Sequence, residues 1–189
     1  MKTIADIKNA GLEVEKIIIN SNLTEEEAFA AEALSVDEYE RINGAAPLEE
    51  KDIRHKILVI KINRLYQRGM DEKVLYDAVR GVWRASKKKV RTVEYVFGVY
   101  NSLIVAVYKP SEWFVCKEAK GKLPRQDIVL TPKTENRLFF VDERYEQGFP
   151  SDENESFYIG KSIAGLKLNQ SAQNPITYLY PLEKDKIHI

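Results

Sequence analysis

The chain has 189 residues, which is enough for one hydrophobic core, or for one core and a small appendage. Hydrophobic residues at 44% and charged residues at 31% are typical of a globular protein and exclude a disordered or fibrous chain. The 29 basic residues balance the 29 acidic ones, so nucleic-acid binding would depend on a local concentration of positive charge.

Cysteine and histidine are scarce. The single cysteine, Cys116, excludes a disulfide within one chain and a cysteine-based zinc site. With only His55 and His188, we expect no histidine-rich metal site and no cofactor. The first 16 residues contain no apolar stretch of the kind found in signal peptides, and no run reaches the length of a membrane span. We therefore expect a cytoplasmic protein without membrane contact.

The first 44 residues predict a helix–strand–helix segment. A short helix over 3–10 ends at Gly11, and residues 12–19 alternate apolar and acidic side chains as a strand does. Thr24 and Glu27 form a capping box that begins the next helix. This segment is too small to bury a core alone, so we expect it to pack against the rest of the chain, a second copy or a partner chain.

A linker is predicted over residues 45–55, and the composition then becomes rich in β-branched and aromatic residues. Residues 56–63 predict a buried strand. Asp71 could cap a helix whose apolar face carries Val74, Leu75, Ala78, Val79 and Val82.

Further strands are predicted after this helix. Two β-branched and aromatic runs are separated by Asn101 and Ser102, a hairpin signal. The other candidates are WFVCK, DIVL, RLFFVDERY, FYIGKSI and ITYLYPL, and the acidic SDENES predicts an exposed loop. The predicted fold class is α+β: residues 56–189 form a small, partly closed β-barrel with one prominent helix rather than a parallel sheet.

One motif resembles a phosphate-binding loop without meeting its requirements. Gly160, Lys161 and Ser162 match the end of that motif, but the position that needs the first glycine is Glu155. A carboxylate there would repel phosphate, so nucleotide hydrolysis is not expected.

The segment 80–91 is the strongest candidate binding site. It contains six basic residues and no acidic one. Cations are favoured at the carboxyl end of a helix, which accounts for Arg80 and Arg84 but less well for three consecutive lysines. The alternative is phosphate binding, and the two interpretations stay open here. The candidate phosphate contacts are Arg84, Lys87, Lys88, Lys89 and Arg91.

Trp83 lies inside this basic segment and has two possible roles. A tryptophan in a small domain usually contributes to the core, because its large area makes it a strong core former. An aromatic ring among cations is also what binding an unpaired base requires. For Trp113, the other tryptophan, we expect a core position.

Residues 4–34 resemble the latter part of bacterial GIY-YIG nucleases related to the LEM-domain nucleases of animals. The similarity rests on a helix, on AGLEVE leading into a strand, and on LTEEEAF with the following EAL. In that family a glutamate on this helix holds a divalent metal, and the matching position is Glu32. The family's tyrosines and arginine come from an earlier part of the domain that this sequence lacks. The resemblance therefore implies a truncated remnant over 1–44, with a vestigial metal ligand and no catalysis.

Residues 56–109 and 158–178 resemble the domain that follows the nuclease in the same bacterial proteins. The stretches that carry the similarity are INRLYQRGMDEKVLYDAVRGVWRASKKK, VEYVFGVYNSLIVAVY, YIGKSI and QNPITYL. A weaker similarity, in the order of strand, helix and GVW, is to PUA-like domains of the YTH and EVE type. Those domains bind a modified base in an aromatic cage, and the residue that matches the cage tryptophan is Trp83.

These patterns together predict a non-catalytic protein that binds DNA or RNA. A more specific form of this prediction is that the protein recognises a modified or extruded base. Two alternatives remain open. The chain could be a nuclease subunit completed in trans by a chain that carries the missing half, or a protein-interaction module.

Overall fold

In the computed structural model, the residues described are 44–119, 121, 123–124, 128–146, 152–166, 168 and 175–182. The chain divides into two compact units, Met1–Arg41 and Ile42–Ile189, and all described residues belong to the second. The predicted helix–strand–helix remnant, including Glu32, lies outside the described residues except for Gly44.

The described residues form six strands, four α-helices and one short 3₁₀ helix, Glu50–Asp52. The strands are β1 Ile57–Lys61, β2 Tyr95–Tyr100, β3 Leu103–Tyr108, β4 Glu112–Val115, β5 Leu138–Val141 and β6 Ile176–Leu179. The helices are α1 Glu72–Arg80, α2 Lys87–Val90, α3 Glu143–Glu146 and α4 Glu153–Tyr158.

Four strands form a mixed sheet in the order β3-β2-β1-β6, and β4 and β5 form a separate antiparallel pair. Within the larger sheet β1 and β2 are parallel, whereas β1–β6 and β2–β3 are antiparallel. A parallel pair needs a crossover, and here the crossover carries α1. The α+β class is confirmed. Within the described part of the chain the strands do not close into a barrel, so the PUA-like barrel stays a prediction.

The sheet separates two hydrophobic clusters. Alternate residues of β1 face opposite clusters: Ile57 and Val59 belong to one, Leu58 and Ile60 to the other. This strand is central and covered on both faces, which explains why its sequence is a continuous apolar run rather than an alternating one. The prediction of a buried strand at 56–63 is confirmed.

Helix α1 begins where the sequence predicts it. The Asp71 carboxylate accepts hydrogen bonds from the backbone N–H groups of Lys73 (2.8 Å) and Val74 (3.4 Å), as an N-cap residue does. The buried side chains of the helix are Tyr76, Ala78 and Val79. Val74, predicted on the apolar face, is 53% exposed, and the face is completed by Tyr76 instead.

The predicted hairpin at Asn101 and Ser102 is also present. These two residues connect β2 to β3 and have positive φ angles of 44° and 68°. Two positive φ angles in a two-residue loop match the twist of antiparallel strands.

Three local predictions were wrong or incomplete. Most of SDENES and the start of FYIGKSI form α4 instead of a loop and a strand, because Asp152 and Glu155 make a capping box that begins a helix. No strand is described in 128–130, part of the predicted DIVL strand. The segment predicted as a linker, 45–55, contributes Leu48 and Ile53 to the first hydrophobic cluster.

Candidate nucleic-acid interface

Helix α2 displays the three consecutive lysines. Ser86 caps the helix, its Oγ accepting from the Lys89 N–H at 3.4 Å, and Val90 is the residue that the helix buries. Lys87, Lys88 and Lys89 are exposed, as are Arg84 before the helix and Arg91 after it. We call these five side chains the cationic surface.

Little negative charge faces the cationic surface. Among the ion pairs between described residues, the one that involves it joins Lys87 Nζ to Glu118 Oε1 at 3.7 Å, with both side chains more than half exposed. Exposed pairs of this kind contribute about 0–1 kcal/mol. Lys89 Nζ lies 5.2 Å from the centre of the Tyr178 ring, a cation–π contact. The positive charge of this surface is therefore mostly uncompensated within the described structure.

The helix dipole does not account for the lysines. Arg80 occupies the last turn of α1, where a cation is favoured, and it is also bonded to Asp77 at 2.7 Å. Helix α2 has four residues, so its first and last turns are the same turn, and its dipole neither favours nor disfavours Lys87, Lys88 and Lys89. The preference of cations for the carboxyl end of a helix thus explains the position of Arg80. It does not explain the positions of the three lysines.

Trp83 lies half-buried immediately before the cationic surface. Its backbone pairs with Leu138, with N···O distances of 2.8 and 2.9 Å, and its ring Nε1 donates to the Val79 carbonyl at 2.7 Å. The side chain also packs against the second hydrophobic cluster. The main chain and ring nitrogen are thus engaged in the fold, while part of the residue remains accessible.

Tyr178 is the residue here that the sequence analysis missed. It lies on β6, pairs with Leu58 of β1, and is brought under Lys89 by the sheet. No local pattern could indicate this contact, because it joins residues far apart in the sequence.

A second polar cluster lies where α3 and α4 approach the strands. Asp142 is fully buried, accepts from Arg144 Nε at 3.0 Å and from the Lys109 N–H at 2.9 Å, and its own N–H donates to the Tyr76 hydroxyl at 2.7 Å. Burial alone would lower the pKa of Arg144, but its bonds to Asp142 and Glu155 outweigh burial and raise it.

Each ionised group of this cluster has an opposite partner, so we assign the cluster to stability. Glu155, which disqualified the phosphate-loop motif, serves here as a helix-cap residue and as a partner of Arg144.

Within the described part of the chain, no group of three or more histidine, cysteine, aspartate or glutamate side chains is placed to hold a metal ion. Glu32, the predicted vestigial ligand, lies outside that part. None of the helices described is long and apolar enough to cross a membrane.

Comparison with known proteins gave no match: no family model, no curated protein and no solved structure matches this chain.

Proposed function

We propose that the protein binds nucleic acid without catalysis, with the cationic surface contacting phosphates. One observation carries the proposal: three consecutive exposed lysines lie between two exposed arginines, and the ion pair that these five side chains make with a described residue is a single exposed one. Clustered like charges repel one another in the free protein, and binding of a polyanion relieves this repulsion and releases condensed counterions.

The finer proposal is that the domain is PUA-like and that Trp83 stacks on a modified or extruded base. The position of Trp83 supports this finer proposal. The half-buried Trp83 directly precedes Arg84, so a phosphate bound to Arg84 could place a base near the ring. Stacking tolerates any base, because every base has a π face.

The test is a salt titration of a fluorescent single-stranded oligonucleotide. Affinity should fall linearly in log–log form with salt, with a slope of about −0.7 for each phosphate contact. The Lys88→Ala/Lys89→Ala variant should weaken binding to all sequences alike and flatten the slope by about 1.4, because phosphate contacts carry no base identity.

The matched control is Lys73→Ala/Lys133→Ala, which removes two exposed lysines outside the cationic surface. It should leave affinity and slope close to those of the unaltered chain. Equal losses in both double variants would mean that net charge, not this surface, binds the nucleic acid. Absence of binding at low salt to single-stranded, duplex and base-modified oligonucleotides would overturn the proposal in favour of a protein-interaction module.

A further inference from the structure

A cavity of about 210 Å³ opens where β1 and β2 end. Its lining includes Lys61, which is the last residue of β1, then Asn63, and the hairpin residues Asn101 and Ser102. None of the five residues of the cationic surface lines it.

The position of the cavity follows from the topology. Because β1 and β2 are parallel neighbours, both carboxyl ends point to the same edge of the sheet. The chain leaves β1 towards α1, which packs with the second hydrophobic cluster, and leaves β2 through the hairpin into β3. The cavity therefore lies at this edge of the sheet, beside the hairpin that connects β2 to β3.

The polar lining is cationic and rich in donors. Lys61 is half-buried, no carboxylate is among the described lining residues, and Lys61 forms no ion pair with a described residue. Asn63 accepts the Asn101 N–H through its Oδ1 at 3.2 Å, so the two donors of its side-chain amide remain for another partner.

Ser102 is the least expected residue in the lining. Its φ of 68° belongs to the left-handed region, which costs any side chain conformational energy, and the residue usually found at this turn position is glycine. Its hydroxyl has no hydrogen-bond partner among the described residues, and the side chain lines the cavity. A serine that is held at a positive φ and whose hydroxyl bonds to no described residue is what a ligand contact would retain.

The remaining lining is apolar: Val99 from β2, then Ile163, Ala164 and Leu168. The volume lies below the range of about 300–1,000 Å³ that is usual for pockets of drug-sized ligands, which favours a small ligand. One lysine with neutral donors compensates a single negative charge. Val99 and Ile163 are almost fully buried, so the apolar wall that a short hydrocarbon chain would contact is formed by Ala164 and Leu168.

We propose that this cavity binds a small monocarboxylate, with the carboxylate on Lys61, Asn63 and Ser102 and a short branched or linear chain against the apolar wall. This site is separate from the cationic surface and does not depend on nucleic-acid binding.

The experiment titrates the full chain with isovalerate while amide chemical shifts are followed by NMR. We expect saturable shifts at Asn63, Asn101, Ser102 and Ala164, with a Kd on the order of 1 mM. Isovaleramide, the neutral isostere, should bind at least about tenfold more weakly, because a hydrogen bond to a charged group is the stronger kind.

Ser102→Gly is the decisive variant. It removes the hydroxyl and relieves the positive φ, so its thermal midpoint should equal or exceed that of the unaltered chain while isovalerate affinity falls about fivefold. Lys61→Met should lower affinity about tenfold or more. Lys88→Ala/Lys89→Ala should leave isovalerate binding unchanged, which separates this site from the nucleic-acid interface.

Three results would overturn the proposal. They are an absence of saturable shifts, equal binding of isovalerate and isovaleramide, and undiminished affinity in Ser102→Gly. Binding of inorganic phosphate in place of isovalerate would overturn the assignment of a carboxylate.

Discussion

At the scale of single residues, Trp83 is the side chain whose two roles can be separated by substitution. Its ring nitrogen bonds to the Val79 carbonyl, and the ring packs against the second hydrophobic cluster. Trp83→Phe keeps an aromatic face and loses the hydrogen bond, whereas Trp83→Ala loses both.

If Trp83 stacks on a base, the alanine variant should lose roughly 1–3 kcal/mol of binding free energy with an unchanged salt slope. The phenylalanine variant should keep most of that energy. The measurement is the same oligonucleotide titration, after denaturant unfolding has shown both variants to be folded.

Trp113→Phe provides a second reference, because Trp113 packs on Phe140 at a ring distance of 5.2 Å within the same cluster. For Trp113→Phe we expect a loss of oligonucleotide affinity only in proportion to the loss of unfolding free energy. If both Trp83 variants follow the same proportion, Trp83 has a role in the core alone.

Several residues could be interpreted from the sequence because their partners are close in the chain. Asp71 accepts from N–H groups two and three residues later, and Asn101 and Ser102 form the two-residue turn between neighbouring strands. The role of Tyr178 could not be interpreted from the sequence, because its contact with Lys89 depends on the pairing of β6 with β1.

At the scale of elements, the packing of α1 on the sheet depends on Gly98. A Cβ placed on this β2 residue would lie 2.6 Å from Val79 Cγ2 and 3.2 Å from Ala106 Cβ. The helix can approach the strand this closely only because a side chain is absent.

Gly98→Ala should lower the free energy of unfolding by about 1–3 kcal/mol, because it overpacks a core without free space. Adding Val79→Ala should restore part of that loss, since it removes the clashing methyl groups. Denaturant unfolding followed by circular dichroism measures both.

Gly165→Ala is the control, because a Cβ there meets nothing within 4 Å. If Gly98→Ala proved no more costly than Gly165→Ala, the described approach of α1 to β2 would be incorrect.

Helix α4, which the sequence predicts as a loop and a strand, also concerns the scale of elements. The helix ends in Phe157 and Tyr158 and is followed by Ile159, and all three favour a strand, but the capping box of Asp152 and Glu155 begins a helix just before them. Tyr158 is fully buried and its hydroxyl lies 2.9 Å from His55 Nδ1, so a tertiary contact adds to the local signal.

At the scale of the whole molecule, residues near the start of the described unit are part of its core. Leu48 is 1% exposed, and its N–H donates to the Ser162 carbonyl at 2.7 Å. Pro47 forms a parallel bridge with Ser162, and Ser162 forms an antiparallel bridge with Leu103 of β3. Pro47 is therefore connected to β3 through Ser162.

Leu48→Ala in the full chain should lower the free energy of unfolding by about 2–5 kcal/mol, because it leaves a cavity in the first hydrophobic cluster. Tryptophan fluorescence during denaturant unfolding is the measurement, since Trp83 and Trp113 both report on this unit.

Leu182→Ala, at a residue that is 59% exposed, should change the stability by no more than about 0.5 kcal/mol. Similar small effects of both substitutions would show that residues 45–55 act only as a linker.

The sequence by itself determined the α+β class, the buried strand, the helix cap at Asp71, the hairpin and the concentration of cations in 84–91. Each depends on groups a few residues apart, whose spacing encodes the geometry. Only the tertiary structure decided that β1 and β2 run parallel, that Trp83 bonds to Val79, and that Lys61, Asn63 and Ser102 surround one cavity. Those arrangements join distant segments, and they are selected by the burial of both sheet faces, to which segments far apart in the described unit contribute.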